Sequence, residues 1–109
     1  MIIHALGTPY TVERVKRHED KLLVASDGYC DPSVQRIVVD DMTAAEGDVD
    51  AKKDLAGYVK KVLRHELIHA FLAESGLSDN SWGENEEIVD WIAIRFPKLL
   101  AAFGEAGAL

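Results

Sequence analysis

The chain has 109 residues, of which 28% are charged and 48% hydrophobic, and its formal net charge is −7. This length predicts a single domain over residues 1–109, and the composition argues against a disordered chain. The acidic balance, with Lys and Arg in short pairs only, argues against nucleic acid or an anionic membrane as the main partner. One cysteine excludes an intrachain disulfide. Without a targeting segment or an apolar run long enough to span a bilayer, we expect a cytoplasmic protein.

The first forty residues predict short strands. Turn residues such as Gly7 and Gly28 separate segments that are rich in β-branched residues or alternate with period two. These segments are MIIHAL (1–6), YTVERV (10–15), KLLVAS (21–26) and QRIVVDD (35–41). Residues 42–49 have turn chemistry and predict a loop.

From about Asp50 the apolar residues recur with the period of a helix. Gly76, followed by a leucine, predicts the C-terminal cap of this first helix. A second helix is predicted to begin at Ser81, with Glu84 completing a capping box, and to be interrupted at Pro97. Strands followed by two main helices predict an α+β domain, with an antiparallel or mixed sheet of three to four strands.

The first helix carries the motif HExxH at His65, Glu66 and His69. The two histidines are about 40° apart around a helix and one turn apart along it, so both imidazoles can bind one tetrahedral zinc. Glu66 is placed to act as a general base on zinc-bound water rather than as a ligand. Apolar neighbours on almost every side predict that the helix is buried, and one Zn²⁺ per chain would satisfy all three side chains. The alternative is three hydrogen-bonded core residues.

A third protein ligand has to come from a carboxylate, because no histidine follows His69. The second helix offers NEEIVD, in which the helical phase turns Glu86 towards the first helix and Glu87 away from it. Asp90, one turn beyond Glu86, can accept the free ring N–H of a ligating histidine. The alternative is a solvated acidic helix start that is stabilised by the helix dipole.

These two motifs together resemble the gluzincins, zinc metallopeptidases that combine HExxH with NExxxD, here Asn85, Glu86 and Asp90. The short chain is similar to the compact ImmA/IrrE-type and phage-encoded metallopeptidases, and the similarity covers residues 55–96 best. The resemblance implies a minimal zincin-like fold in which Glu86 is the third ligand and Asp90 orients a histidine.

The resemblance also implies that a strand near residues 27–39 borders the cleft and binds a peptide or protein substrate along its edge. Tyr29 could then stabilise the oxyanion or contact substrate, although a packed strand tyrosine explains it equally well. Cys30 is better explained as a small buried residue than as a ligand.

Two functions follow from these patterns, and the remaining alternative is a metal-free structural protein. The first is a zinc-dependent peptidase in which Glu66 takes a proton from water and passes it to the leaving amine. The second is a zinc-binding regulatory or interaction module. The absence of His or Tyr after Glu86 favours the module, and the presence of Glu66 favours the enzyme.

Overall fold

Four strands form one mixed sheet in the computed structural model, which describes all 109 residues. The order across the sheet is β1-β2-β4-β3. Strand β2 runs antiparallel to β1 and parallel to β4, and β3 pairs antiparallel with β4 and leaves its other edge free. A sheet followed by two long helices confirms the predicted α+β class. The strands are β1 (Ile2–Ala5), β2 (Thr8–Val15), β3 (Gly28–Asp31) and β4 (Arg36–Asp40).

The prediction of a strand at KLLVAS is wrong. Lys21–Val24 forms a 3-10 turn that is capped by Asp20, whose carboxylate accepts the N–H of Leu22. Leu23 is fully buried, whereas Leu22 is exposed. The capping carboxylate provides the backbone with a local hydrogen-bond partner, so this apolar run anchors a turn instead of joining the sheet.

Helix α1 covers Leu55–Glu74 and begins at Asp54, whose carboxylate accepts the N–H of Gly57 at 2.9 Å. Gly76, two residues beyond its last residue, terminates it as predicted and has a φ of 74°. The N–H of Leu77 then donates to the carbonyl of Leu72 at 2.8 Å, which closes the helix.

One side of α1 packs on the sheet and brings β3 close to the helix. A Cβ at Gly28 would lie 2.9 Å from Cγ1 of Val62, so only glycine permits this approach. The side of α1 that carries Phe71 is less well covered, because Phe71 is 43% exposed and faces α2 across an open cavity. The prediction that α1 is buried all round is therefore wrong on that side. The core cluster consists of Ala5, Tyr10, Val12, Ile37, Val39, Met42, Val59, Val62 and Ala70.

Helix α2 covers Glu86–Glu105 and begins later than predicted. Ser81 caps only a 3-10 turn over Trp82–Glu84, because its hydroxyl accepts the N–H of Gly83. The cap of α2 is Asn85, whose side chain accepts the N–H of Ile88 at 3.1 Å. No helix of the chain is both long and apolar enough to cross a membrane.

Pro97 lies inside α2 and does not interrupt it, contrary to the prediction. Proline has no N–H, so the carbonyl of Ala93, four residues earlier, lacks its helical partner. Arg64 of α1 supplies one, because its Nε donates to this carbonyl at 2.6 Å. This contact satisfies the carbonyl that Pro97 leaves unpaired.

Candidate metal centre

The side chains of His65, His69 and Glu86 converge between the two helices. The Nε2 atoms of the two histidines are 3.1 Å apart. Each also lies 2.9 Å from a carboxylate oxygen of Glu86, His65 from Oε2 and His69 from Oε1. The structure therefore brings together the three residues that the sequence nominated as ligands.

This donor set fits a cation of the zinc type. Nδ1 of His65 donates to the carboxylate of Asp90, so in the neutral imidazole Nε2 carries a lone pair. This lone pair points at Nε2 of His69 and at the carboxylate of Glu86. Lone pairs so close together repel unless a proton or metal ion lies among them. Ligand atoms about 2.0–2.1 Å from a tetrahedral zinc are roughly 3.3 Å apart, close to the spacing here.

Glu66 lies beside this group, and one of its ligand atoms is within 4.8 Å of a ring nitrogen of each histidine, so it is the competing candidate for the third ligand. Its Oε1 is 4.0 Å from Nε2 of His65, more than 1 Å farther than the Glu86 oxygen. The residue is only 6% exposed, and burial raises the pKa of its carboxyl to about 7, with His65 opposing and Glu86 reinforcing that rise. The geometry favours Glu86 over Glu66 as the third ligand.

Asp90 contacts the outer nitrogen of a candidate ligand, as predicted. Its Oδ1 accepts from Nδ1 of His65 at 3.0 Å and from Nζ of Lys61 at 2.8 Å. The hydrogen bond from Lys61 is the largest cause of a lowered pKa at Asp90. Sequence reasoning missed Lys61, although its place four residues before His65 puts it on the same side of α1.

Strand β3 forms the wall of the cleft opposite the two histidines. A cavity of about 600 Å³ is bordered by both histidines, Glu66 and Glu86 on one side and by β3 on the other. The carbonyl of Asp27 accepts the N–H of Asp40, so these two residues form a hydrogen-bonded pair of the antiparallel ladder. Hydrogen-bonded and non-hydrogen-bonded pairs alternate in such a ladder, so the N–H and C=O groups of Gly28 and Cys30 point away from β4. These main-chain groups point towards the free edge.

Tyr29 borders this cleft, but its hydroxyl donates to Asp20 at 2.6 Å. Cys30 packs against the core cluster under α1, and successive residues of a strand point to opposite faces, so the Tyr29 side chain lies on the other face of the sheet. The structure therefore does not bring the Tyr29 hydroxyl together with the histidines. Burial raises the pKa of the Cys30 thiol to about 12, and its packing against the core cluster agrees with a small, mostly apolar role for this residue.

A polar network that sequence reasoning did not find holds the segment before β3. Arg17 donates from Nε to Asp40 at 2.8 Å and from its terminal nitrogen to Asp27 at 2.5 Å. The hydroxyl of Tyr58, on α1, also donates to Asp27. Arg17 thus links the end of β4 to the residue before β3, while Tyr58 links that residue to α1.

Comparisons with protein-family models, curated proteins and solved structures found no match to this chain.

Proposed function

We propose that the protein is a zinc-dependent peptidase whose metal is held by His65, His69 and Glu86. The observation that carries this proposal is the convergence of the three donors beside a buried carboxylate, Glu66, and a free strand edge. A zinc ion held there supplies the Lewis acid that makes water a nucleophile at neutral pH. Gluzincins share this combination of side chains, and the likeness in motif supports the assignment.

Glu66 acts as the general base in this proposal. Its carboxylate borders the cleft and lies farther from His65 than the carboxylate of Glu86 does. Glu66 is therefore free to take the proton of the attacking water. The same carboxyl then returns the proton to the amine that leaves. Asp90 keeps Nε2 of His65 free for the metal by accepting the proton on Nδ1.

The free edge of β3 provides the place for a substrate. The outward N–H and C=O groups of Gly28 and Cys30 can pair with an extended peptide, which would add a strand to the sheet alongside the histidines. Main-chain pairing of this kind selects an extended backbone, so the expected substrate is a peptide or an unfolded segment of a protein.

One observation favours a second candidate, a zinc-binding module without catalysis. The only tyrosine on β3 has its hydroxyl engaged by Asp20, and no His or Tyr follows Glu86. A donor for the developing oxyanion contributes about 10²- to 10³-fold to peptide hydrolysis where it has been removed by mutation. A module that binds zinc and a peptide without cutting it does not need such a donor.

The variant Glu66→Gln separates the two functions because it removes the base and keeps the size of the side chain. We expect zinc content and thermal stability to stay at the wild-type level while cleavage of a peptide library falls by about 10²- to 10⁴-fold. Glu87→Gln, an exposed change on α2, is the matched control and should cut normally.

Equal cleavage by wild type and Glu66→Gln would contradict the role of Glu66 as the general base. Zinc binding without cleavage by either protein would leave the module as the function. Failure of the wild type to bind zinc at neutral pH would contradict both.

A further inference from the structure

Helix α2 carries an apolar stripe that the rest of the chain leaves partly exposed. The stripe consists of Ile88, Ile92, Phe96, Leu99 and Phe103, with spacings of four, four, three and four residues. At about 100° per residue these side chains fall within roughly 80° of one another, which is a single helix face. Phe96 and Phe103 are each 41% exposed.

The stripe continues into an apolar groove on the side of α1 that carries Phe71. Leu67, Ile68 and Phe71 of α1 face Ile92 and Phe96 of α2 across a cavity of about 610 Å³. The groove is thus on the side of α1 that points away from the sheet. Glu86 is about 120° or more from the centre of the stripe around α2, so the metal-binding cleft opens elsewhere.

The uncovered apolar area matches what a stable interface requires. At about 150–250 Å² for a large aromatic side chain, the exposed fractions leave on the order of 500 Å² uncovered per chain. A standard interface buries about 800 Å² per partner and is roughly 60% apolar, which corresponds to about 500 Å² of apolar surface. The contributing residues are between 38% and 50% exposed: Phe71, Trp82, Ile88, Phe96 and Phe103.

The stripe is complementary to itself. When two copies of α2 run antiparallel about a two-fold axis at Phe96, Ile88 lies opposite Phe103, and Ile92 opposite Leu99. A two-fold axis requires this kind of symmetric pairing, in which one patch serves both partners. The antiparallel packing also places the C-terminal half of each α2 over the groove of the other chain.

We propose that α2 pairs antiparallel with α2 of a second copy, forming a homodimer centred on Phe96. The four helices of the two chains then bury the stripes and grooves between them, and both metal-binding clefts remain open. This inference does not depend on the proposed function, because it concerns a different surface and needs neither metal nor activity.

Sedimentation equilibrium at about 50 µM chain tests the proposal, since interfaces of this size commonly reach micromolar affinity or better. We expect twice the chain mass of 12.0 kDa for the wild type. Phe96→Asp should return the single-chain mass, with dimerisation weakened at least about 30-fold by a buried hot-spot change. Ile94→Asp is the matched control, because Ile94 is similarly exposed at 43% but points to the opposite side of α2.

A cross-linking experiment keeps the test decisive if Phe96→Asp fails to fold. In a Cys30→Ser background, Phe96→Cys should form an interchain disulfide under mild oxidation, because the two side chains meet at the axis. Ile94→Cys should not. A wild type that sediments as a monomer overturns the proposal, as does a dimer that Ile94→Asp disrupts and Phe96→Asp leaves intact.

Discussion

Asp90→Asn tests whether the carboxylate that contacts His65 strengthens metal binding. Asparagine keeps the shape and one acceptor oxygen but removes the charge that His65 Nδ1 and Lys61 Nζ share. A hydrogen bond to a charged group contributes about 1.5–3 kcal/mol and a neutral one about 0.5–1.5 kcal/mol, so the change loses roughly 1.5 kcal/mol. This corresponds to about a tenfold rise in the zinc dissociation constant, the lower end of the usual 10- to 100-fold range, consistent with the 37% exposure of Asp90.

Competition with a chromogenic chelator measures the dissociation constant, and thermal unfolding without metal monitors the fold. Lys61→Met is the matched comparison, because it breaks the other contact of the same carboxylate oxygen. Removing a cation near a divalent metal should leave zinc binding unchanged or make it tighter. If Lys61→Met weakened zinc as much as Asp90→Asn, Asp90 would act as an ion-pair partner between the helices and our reasoning about His65 would be wrong.

Two further predictions concern the third ligand and the cleft wall. Glu86→Gln should weaken zinc binding sharply in the same assay, whereas Glu87→Gln should leave it nearly unchanged; the reverse order would show that Glu86 is not the ligand. Gly28→Ala should lower the free energy of unfolding in urea by about 1–3 kcal/mol, because the new methyl group would overlap Val62. Gly104→Ala on the open side of α2 should be neutral or stabilising by up to about 1 kcal/mol, and an equal loss at both glycines would argue against close packing at Gly28.

Local periodicity was sufficient to predict the parts of the site that lie on regular helix. Residues four apart share a face of any helix, so the positions of His65 and His69 did not depend on the rest of the chain. The structure places both on one face of α1. The relative directions of Glu86 and Asp90 also follow from the helix period. Their contacts with the histidines agree with that prediction, even though the cap of α2 is Asn85, four residues after the predicted Ser81.

One feature that the sequence analysis missed is local, and the others depend on partners farther away in the chain. Asp20 directly precedes KLLVAS and caps it into a turn, a signal that the strand pattern does not include. The same carboxylate engages the hydroxyl of Tyr29, nine residues further on. Arg17 contacts Asp27 and Asp40 only because the fold brings them together. Helix periodicity likewise described α1 as apolar on almost every side without showing that Phe71 would remain exposed.

The contact between Arg64 and the carbonyl of Ala93 has a consequence for how this chain tolerates substitution. Pro97 can remain in the middle of α2 because Arg64 supplies the hydrogen bond that proline withholds. The two positions should therefore vary together in evolution: a descendant that replaces Pro97 with alanine regains the helical N–H and is released from the need for Arg64. One that loses Arg64 first has to carry an unpaired carbonyl beside the groove. We therefore expect Pro97 to be replaced before Arg64 is lost.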